Sequence, residues 1–188
     1  MTDRVLVIGA GGFGRSVADA LLAGSRYTLT GFVDDRIPAG STVLGQPVLG
    51  SLADLPALRA GCALVVVAIG DNLRRQEITL LAQNAGFNLA TVVHPQAIIS
   101  QYAALGAGAM ILAGAIVGTE VTVGDGAIVN AGAIVDHHAK VGDFAHLGVG
   151  ACIAGGARIG ARSWLKEGCI LRAGQVIGDD CVAAGGAA

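Results

Sequence analysis

Asp136, His137, His138 and His146 are the residues of this chain best suited to chemistry. Three of its four histidines fall within ten residues, in a stretch otherwise filled mostly by Ala, Gly and Val. Imidazole titrates near neutrality, so the cluster suits abstraction of a proton from an amine or hydroxyl nucleophile. By residue type alone, His137, His138 and His146 also offer a zinc ligand set. The plainest alternative is a group of solvated histidines at a bend. A second candidate lies near the start, where Gly9, Gly11 and Gly14 form G-x-G-x-x-G and Asp34 follows about 20 residues on. Glycines let backbone amides approach a phosphate, and a following helix adds partial positive charge. A nucleotide diphosphate-sugar satisfies such a turn as well as NAD does, and a tight turn that binds nothing has the same pattern. Arg158, Arg162, Lys166 and Arg172, opposed by Glu167 alone, make the C-terminal part locally basic. Each of these cations is also explained as an ordinary solvated charge.

Two kinds of pattern must position these residues. Up to about Val92 the chain alternates apolar runs with amphipathic stretches of helical length, as βαβ units do. The expected elements are strands Val5–Ile8, Leu29–Val33, Ala63–Ile69 and Leu89–Val93. Helices are expected over Phe13–Ala23, Leu52–Arg59 (capped by Ser51) and Leu73–Ala85. Past Pro95 the helical period vanishes, and an aliphatic residue recurs at every sixth position from Val93 through Val117, Val135 and Ile153 to Ile177. A small residue usually stands two places before it and often Gly one place after, with Asn130 and Asp136 in two of those Gly slots. Each hexad reads as a short strand and a bend: the aliphatic side chain points into an axial core, the small residue lets the corner close, and the following Gly or Asn takes the unusual dihedrals. Fifteen positions in phase predict a stacked parallel β-helix. His137 then points away from the axis, and His146 immediately precedes core Leu147. The domains expected are 1–93, Rossmann-like, and 94–188, β-helix.

Composition excludes several classes. With 12 Lys+Arg against 14 Asp+Glu the net charge is −2, so nucleic acid is not an expected partner. Hydrophobic residues make up 53%, enough for a core and against disorder. Mean hydropathy is +0.66, yet no apolar run reaches the roughly 18 to 20 residues of a spanning helix. The four cysteines form no C-x-x-C pair and no secretory leader precedes the first strand, so reduced thiols and a cytoplasmic location are expected. About 90 residues of α/β pattern without a following dehydrogenase domain argue against NAD.

The I-G-x-x-x-x register resembles the hexapeptide-repeat acyltransferases. VIGAGGFGRSVADAL, FVDD, VAIGDN and VDHHAKVGDFAHLGVGACIAGG together resemble their PglD/NeuD-like group of bacterial sugar O- and N-acetyltransferases. The resemblance covers nearly the whole chain. It implies a left-handed helix with three hexads per coil, a homotrimer with active sites between adjacent β-helices, and acetyl-CoA as co-substrate. It also implies an acceptor, for which a nucleotide-activated UDP-4-amino sugar is preferred over sialic acid. By resemblance, Gly11, Gly12 and Phe13 lie against the sugar-nucleotide phosphates and Asp34 and Asp35 reach the uridine. His137 is the general base, His146 contacts the cofactor or thioester, Gly155 supplies an oxyanion N–H, and Asn130 fills a further active-site position. Among the basic residues, Lys166 and Arg172 are proposed to hold coenzyme A phosphates.

In two places the sequence departs from the family. The family places Glu or Asp just after the base, where this chain has His138, which leaves the strength of the base open. Asp136 is expected to be a poor substitute, since neighbours in a strand face opposite ways. The sequence also stops at Ala188 inside AAGGAA, where related proteins continue to a short coenzyme-binding tail; either the protein is shortened or the sequence lacks its end, and weaker cofactor binding is the expectation in both cases. A γ-type carbonic anhydrase with a three-histidine zinc site and a non-catalytic sugar-nucleotide-binding solenoid are the rival readings.

Overall fold

The structure, a computed structural model, describes residues 3–184. It divides into two compact units, Met1–Val92 and Val93–Ala188. In the first, β1 (Asp3–Ile8) lies between β2 (Tyr27–Val33) and β5 (Leu64–Val67), parallel to both. Outside these, β4 (Gln46–Gly50) pairs with β2 and β6 (Asn88–Leu89) with β5; β3 (Thr42–Val43) runs antiparallel on β4. The β1 run is buried on both faces from Val5 to Ile8, as its unbroken apolar sequence requires. Because the chain leaves β1 toward β2 and later returns on the other side as β5, the carboxyl ends of β1 and β5 open a crevice at the point where strand order reverses. Helices α1 (Gly12–Ala23) and α3 (Asn72–Asn84) follow those two strands.

Three details differ from the sequence reading. The β3–β4 hairpin was not anticipated, because its two-residue turn is Leu44-Gly45, both at positive φ, where Asn-Gly would have been the usual signal. The stretch expected as one helix, Leu52–Arg59, begins as a 3₁₀ turn over Leu52–Asp54, held by the Asp54 carboxylate accepting from the Ser51 N–H and hydroxyl, before α2 (Leu55–Leu58). The expected strand Leu89–Val93 is two pieces: β6 belongs to the α/β sheet, whereas Val92–Val93 is the first rung of the β-helix.

The second unit is a parallel β-helix of two-residue strands in three stacked faces. The first face runs from Val92–Val93 through Met110–Ile111, Ile128–Val129, His146–Leu147 and Trp164–Leu165 to Val182–Ala183. The second runs from Ile98–Ile99 through Ile116–Val117, Ile134–Val135 and Cys152–Ile153 to Ile170–Leu171. The third runs from Ala104–Leu105 through Thr122–Val123, Lys140–Val141 and Arg158–Ile159 to Val176–Ile177. Each rung bonds to the rung one coil of eighteen residues away, as Ile134 with Cys152 and Val135 with Ile153. All fifteen in-phase aliphatics join one axial core, with the small residues Ala109, Ala115, Ala127, Ala133, Ala139, Ala145, Ala151 and Ala157 fully buried beside them.

The bends work differently from the expectation. Positive φ falls not on the residue after the core aliphatic but two places later, at Gly108, Gly114, Gly126, Gly132, Gly150, Gly156, Gly168 and Gly174, and also at Glu120, His138, Phe144, Arg162 and Asp180. The Gly directly after the aliphatic is there for space. At the corner between the third and first faces that slot is Gly106, Gly124, Gly142, Gly160 and Gly178, and at Gly106, Gly124 and Gly142 a Cβ would lie 2.6 Å from a backbone nitrogen of the next coil. Among the described residues no helix is long and apolar enough to cross a membrane.

Candidate active site

In the α/β unit the crevice is a cavity of about 420 Å³, lined by the Gly9–Gly14 turn, the Asp34–Ile37 loop, the Ala68–Gly70 loop and Arg74. The four glycines of the turn serve two purposes. Gly9 has φ +101°, with a Cβ placed 2.8 Å from the Ala68 carbonyl oxygen, and a Cβ on Gly14 would collide with the Gly9 carbonyl, so these two let strand, turn and helix close. Gly11 and Gly12 have nothing within 4 Å of a Cβ position. Their bareness is not demanded by the protein and leaves the start of α1, which has no side-chain cap, open to an anion. Phe13 also lines the cavity.

Asp34 and Asp35 reach this cavity, but both already serve the backbone. Asp34 Oδ2 accepts from Ala10 N–H at 2.7 Å, and its Oδ1 from the N–H groups of Arg36 and Ile37 at 2.8 and 3.1 Å. Asp35 Oδ1 accepts from Leu52 N–H at 2.9 Å. Burial opposes ionisation of Asp34, yet the three amide bonds and the Arg36 charge outweigh it and hold its carboxyl below the ordinary value. The loop after β5 is fixed by Arg75, which the sequence reading passed over. Wholly buried, its guanidinium donates to the carbonyls of Ile69 and Gly70 and to Asn72 Oδ1. Burial pulls its pKa down to about 9 against the raising charge of Asp71, and it stays cationic at neutral pH.

In the β-helix, the corner between the second and third faces brings together His137, His138 and Gly155. His137 and His138 follow the Ile134–Val135 rung, and Gly155 occupies the same bend one coil later. A Cβ on Gly155 would sit 2.5 Å from His137 Cε1 and 2.7 Å from its Nε2, so glycine leaves the imidazole its place. Gly156 N–H donates to the His137 carbonyl, and His138 N–H to that of Thr119 in the coil before. His137 Nδ1 is 2.9 Å from His138 Nδ1, and His138 Nε2 is 2.9 Å from Glu120 Oε2. Asp136 accepts from His137 N–H at 2.7 Å, while its other oxygen stands 3.7 Å from His137 Nε2. The opposite-face expectation for Asp136 and His137 therefore fails, because they lie in a bend and not in a strand. Glu120 was missed by the sequence reading. The available signal was spacing, since it stands one full coil before His138.

Asn130 and His146 form a separate group. His146, nearly buried, stacks on Trp164 at 4.8 Å between ring centroids, and Asn130 Nδ2 is 3.5 Å from His146 Nε2. Asn130 Oδ1 accepts from Ala131 N–H, fixing the corner between the first and second faces. This pair sits on the first face and the bend that follows it, whereas His137 sits on the bend after the second face. Lys166 belongs with them, its ammonium 3.0 Å from the Trp164 ring centroid. Arg172 sits instead on the His137 corner, so the two cations proposed for coenzyme phosphates do not converge within one chain. Arg162 is paired with Asp180. Among the described residues no group of three or more His, Cys, Asp or Glu is placed to hold a metal ion, and the chain end at 185–188 lies outside the described residues.

Comparison with known proteins gives these arrangements a class. Residues 4–80 match the PglD N-terminal domain. A histidine-to-asparagine variant of perosamine N-acetyltransferase from Caulobacter crescentus, with CoA and GDP-perosamine bound, is 35% identical, with TM-score 0.91 over 97% of this chain and 86% of that one. The acetyltransferase domain of PglB from Neisseria gonorrhoeae, with acetyl coenzyme A, is 29% identical, with TM-score 0.80 over 98% and 97% of the two chains. WeeI from Acinetobacter baumannii, 22% identical with TM-score 0.80 over 98% and 93%, shares the fold. No curated protein matches the chain. A Rossmann-like unit followed by a left-handed parallel β-helix thus defines an acetyl-CoA-dependent sugar acetyltransferase. The chain belongs to the PglD/NeuD-like family of these enzymes.

Proposed function

We propose that this enzyme acetylates the amine of a nucleotide-activated amino sugar, with His137 as general base. The observation that carries the reading is His137 itself, an imidazole seated against the bare backbone of Gly155 in a corner where every neighbouring coil has a small or polar residue. The amine nitrogen attacks the thioester carbonyl carbon of acetyl-CoA while its proton passes to His137 Nε2. Collapse of the tetrahedral intermediate breaks the C–S bond, and the coenzyme A sulfur leaves with that proton. The Gly155 N–H, which donates to no described group, is available to the oxyanion. Residues 1–93 hold the nucleotide sugar, with its phosphates at Gly11, Gly12 and Phe13; residues 94–188 perform the transfer. Asp34 and Asp35 shape the nucleotide pocket chiefly by fixing its loops.

The active assembly is a homotrimer. The separation of His137 from Asn130, His146 and Lys166 on different corners is consistent with one site drawing its two halves from two copies, and the outward side chains Ile98, Ile134 and Ile170 on the second face are exposed apolar surface suited to burial between copies. Lys166 and Arg172 would then reach one coenzyme from adjacent chains. The use of acetyl-CoA and nucleotide sugars supports a cytoplasmic location for the reaction. Because a 35% identical relative binds GDP-perosamine, that is the acceptor to try first, followed by UDP-4-amino sugars, CMP-sialic acid and free sialic acid. Thiol release from acetyl-CoA that depends on an amino-sugar nucleotide and falls by about 10²-fold or more in His137→Ala is the expected result. Release that depends on sialic acid alone makes it an O-acetyltransferase, and equal rates in wild type and His137→Ala remove the base.

A further inference from the structure

We propose that Glu120 and His138 form a relay that sets the tautomer and the basicity of His137, so that a carboxylate one coil away does the work of the acidic residue that the family places beside the base. This rests on His137 being the base. Glu120 Oε2 is 2.9 Å from His138 Nε2, and an ionised carboxylate can only accept. Neutral His138 therefore carries its proton on Nε2, which leaves Nδ1 as a lone pair. That lone pair is 2.9 Å from His137 Nδ1, so His137 must be the donor and carry its proton on Nδ1. His137 Nε2 is then left unprotonated beside Gly155. One carboxylate thus fixes both rings, and when Nε2 takes up a proton the positive charge is opposed by Glu120 through two hydrogen bonds.

The fold explains why the relay needs these two positions. Glu120 and His138 occupy the same bend slot in successive coils, both at positive φ, +58° and +59°, where the next two coils have Gly156 and Gly174. Non-glycine residues are strained there. The only other described pair of charged partners in this slot one coil apart is Arg162 with Asp180, again in direct contact. The slot therefore aims two side chains along the helix axis at each other. The other titratable group at His137 is Asp136, whose Oδ2 lies 3.7 Å from Nε2, too far for a hydrogen bond and on the reacting nitrogen. The coil above presents Ala154, Gly155, Gly156 and Ala157, none of which titrates.

Two measurements test this on the full chain. With ¹⁵N-labelled histidine, above the histidine titration range, His137 is expected as the Nδ1–H tautomer and His138 as Nε2–H, with His137→Ala and His138→Ala assigning the signals; a His137 ring protonated on Nε2 overturns the relay whatever the substrate. In thiol release from acetyl-CoA with GDP-perosamine, Glu120→Gln should lower kcat by about tenfold, leave both KM values within about twofold and move the acid limb of the kcat/KM profile to lower pH. Glu120→Ala should fall further, and adding His138→Glu to it should restore most of the lost kcat. An unmoved acid limb with unchanged kcat in Glu120→Gln, or a loss seen in KM and thermal midpoint alone, assigns Glu120 a structural part and overturns the proposal, as does a double variant no faster than Glu120→Ala. Full activity in His137→Ala would instead defeat the assignment of the base.

Discussion

The corner between the third and first faces of the β-helix is glycine after the core aliphatic in every coil, at 106, 124, 142, 160 and 178. The corner between the second and third faces has Ser100, Gly118, Asp136, Ala154 and Arg172 in the same slot. Both turns are closed by the same carbonyl-to-amide bonds and stack with the same period. What separates them is the occupant of the space above each bend. At the glycine corner that space is filled by the backbone of the next coil, and by Asp125, Asp143 and Asp179, whose carboxylates accept from the N–H groups of Ala107, Asp125 and Ala161. At the other corner the backbone of the next coil stands farther off, with His137 N 3.0 Å from a Cβ on Gly118, and the bends also carry the side chains of His137, His138 and Glu120. Strict repetition thus marks a packing constraint, and its absence at the other two corners, one carrying His137 and the other Asn130 and Lys166, marks the places where side chains are free to do chemistry.

The sharpest way to break this comparison is to add one methyl group at each corner. Gly155 has an ordinary backbone conformation, so Gly155→Ala is tolerated by the chain; its Cβ, however, would lie within 2.7 Å of His137 Nε2, and the exposed ring must swing away. A displacement of about 1 Å can cost about 10²-fold in rate. We expect a kcat loss of that order with the urea midpoint unchanged, and an active Gly155→Ala would show that His137 works from another position. Gly142→Ala should do the reverse. Its Cβ would meet Ala161 N at 2.6 Å and Gly160 C at 2.7 Å, rigid groups that cannot step aside, so about 1–3 kcal/mol of stability is lost. Its kcat below the unfolding temperature should stay within about twofold of wild type.

This contrast also shows what could be read from the sequence. The sixfold pattern was enough to place the core from Val93 to Ile177, because an inward side chain and a small corner residue recur whatever the outside of the coil does. Two features required the eighteen-residue coil. Read by columns, the invariant glycines separate from the variable slots, and Glu120 falls under His138; read by hexads, Glu120 is one more surface charge. The dihedrals were assigned to the wrong glycine because composition does not distinguish a glycine needed for φ from one needed for clearance. In the α/β unit, the G-x-G-x-x-G turn and Asp34 were legible as a motif, whereas Arg75 was not, since a helical arginine reads as solvated until the loop it clamps is known.

Asp34 offers the mildest test, because its carboxylate belongs with the glycines: it is engaged by backbone, as Glu120 is engaged by an imidazole. Its folded-state pKa is depressed below the ordinary 3.8, so the stabilisation it gives is present above that value and is lost as pH falls through the lower, folded one. Asp34→Asn replaces one accepting oxygen with an N–H₂ group. With Oδ1 kept toward Arg36 and Ile37, that group faces the Ala10 N–H donor and loosens the turn. Denaturation at neutral pH should therefore find the variant less stable than wild type, with the gap narrowing as the solution is taken below the carboxylate range. Sugar-nucleotide KM should rise while kcat stays near wild type, because the turn holds the ligand and takes no part in proton transfer. A gap that is independent of pH would mean that the charge of Asp34 contributes nothing to holding the turn, and that the shape of the side chain alone fixes the loop.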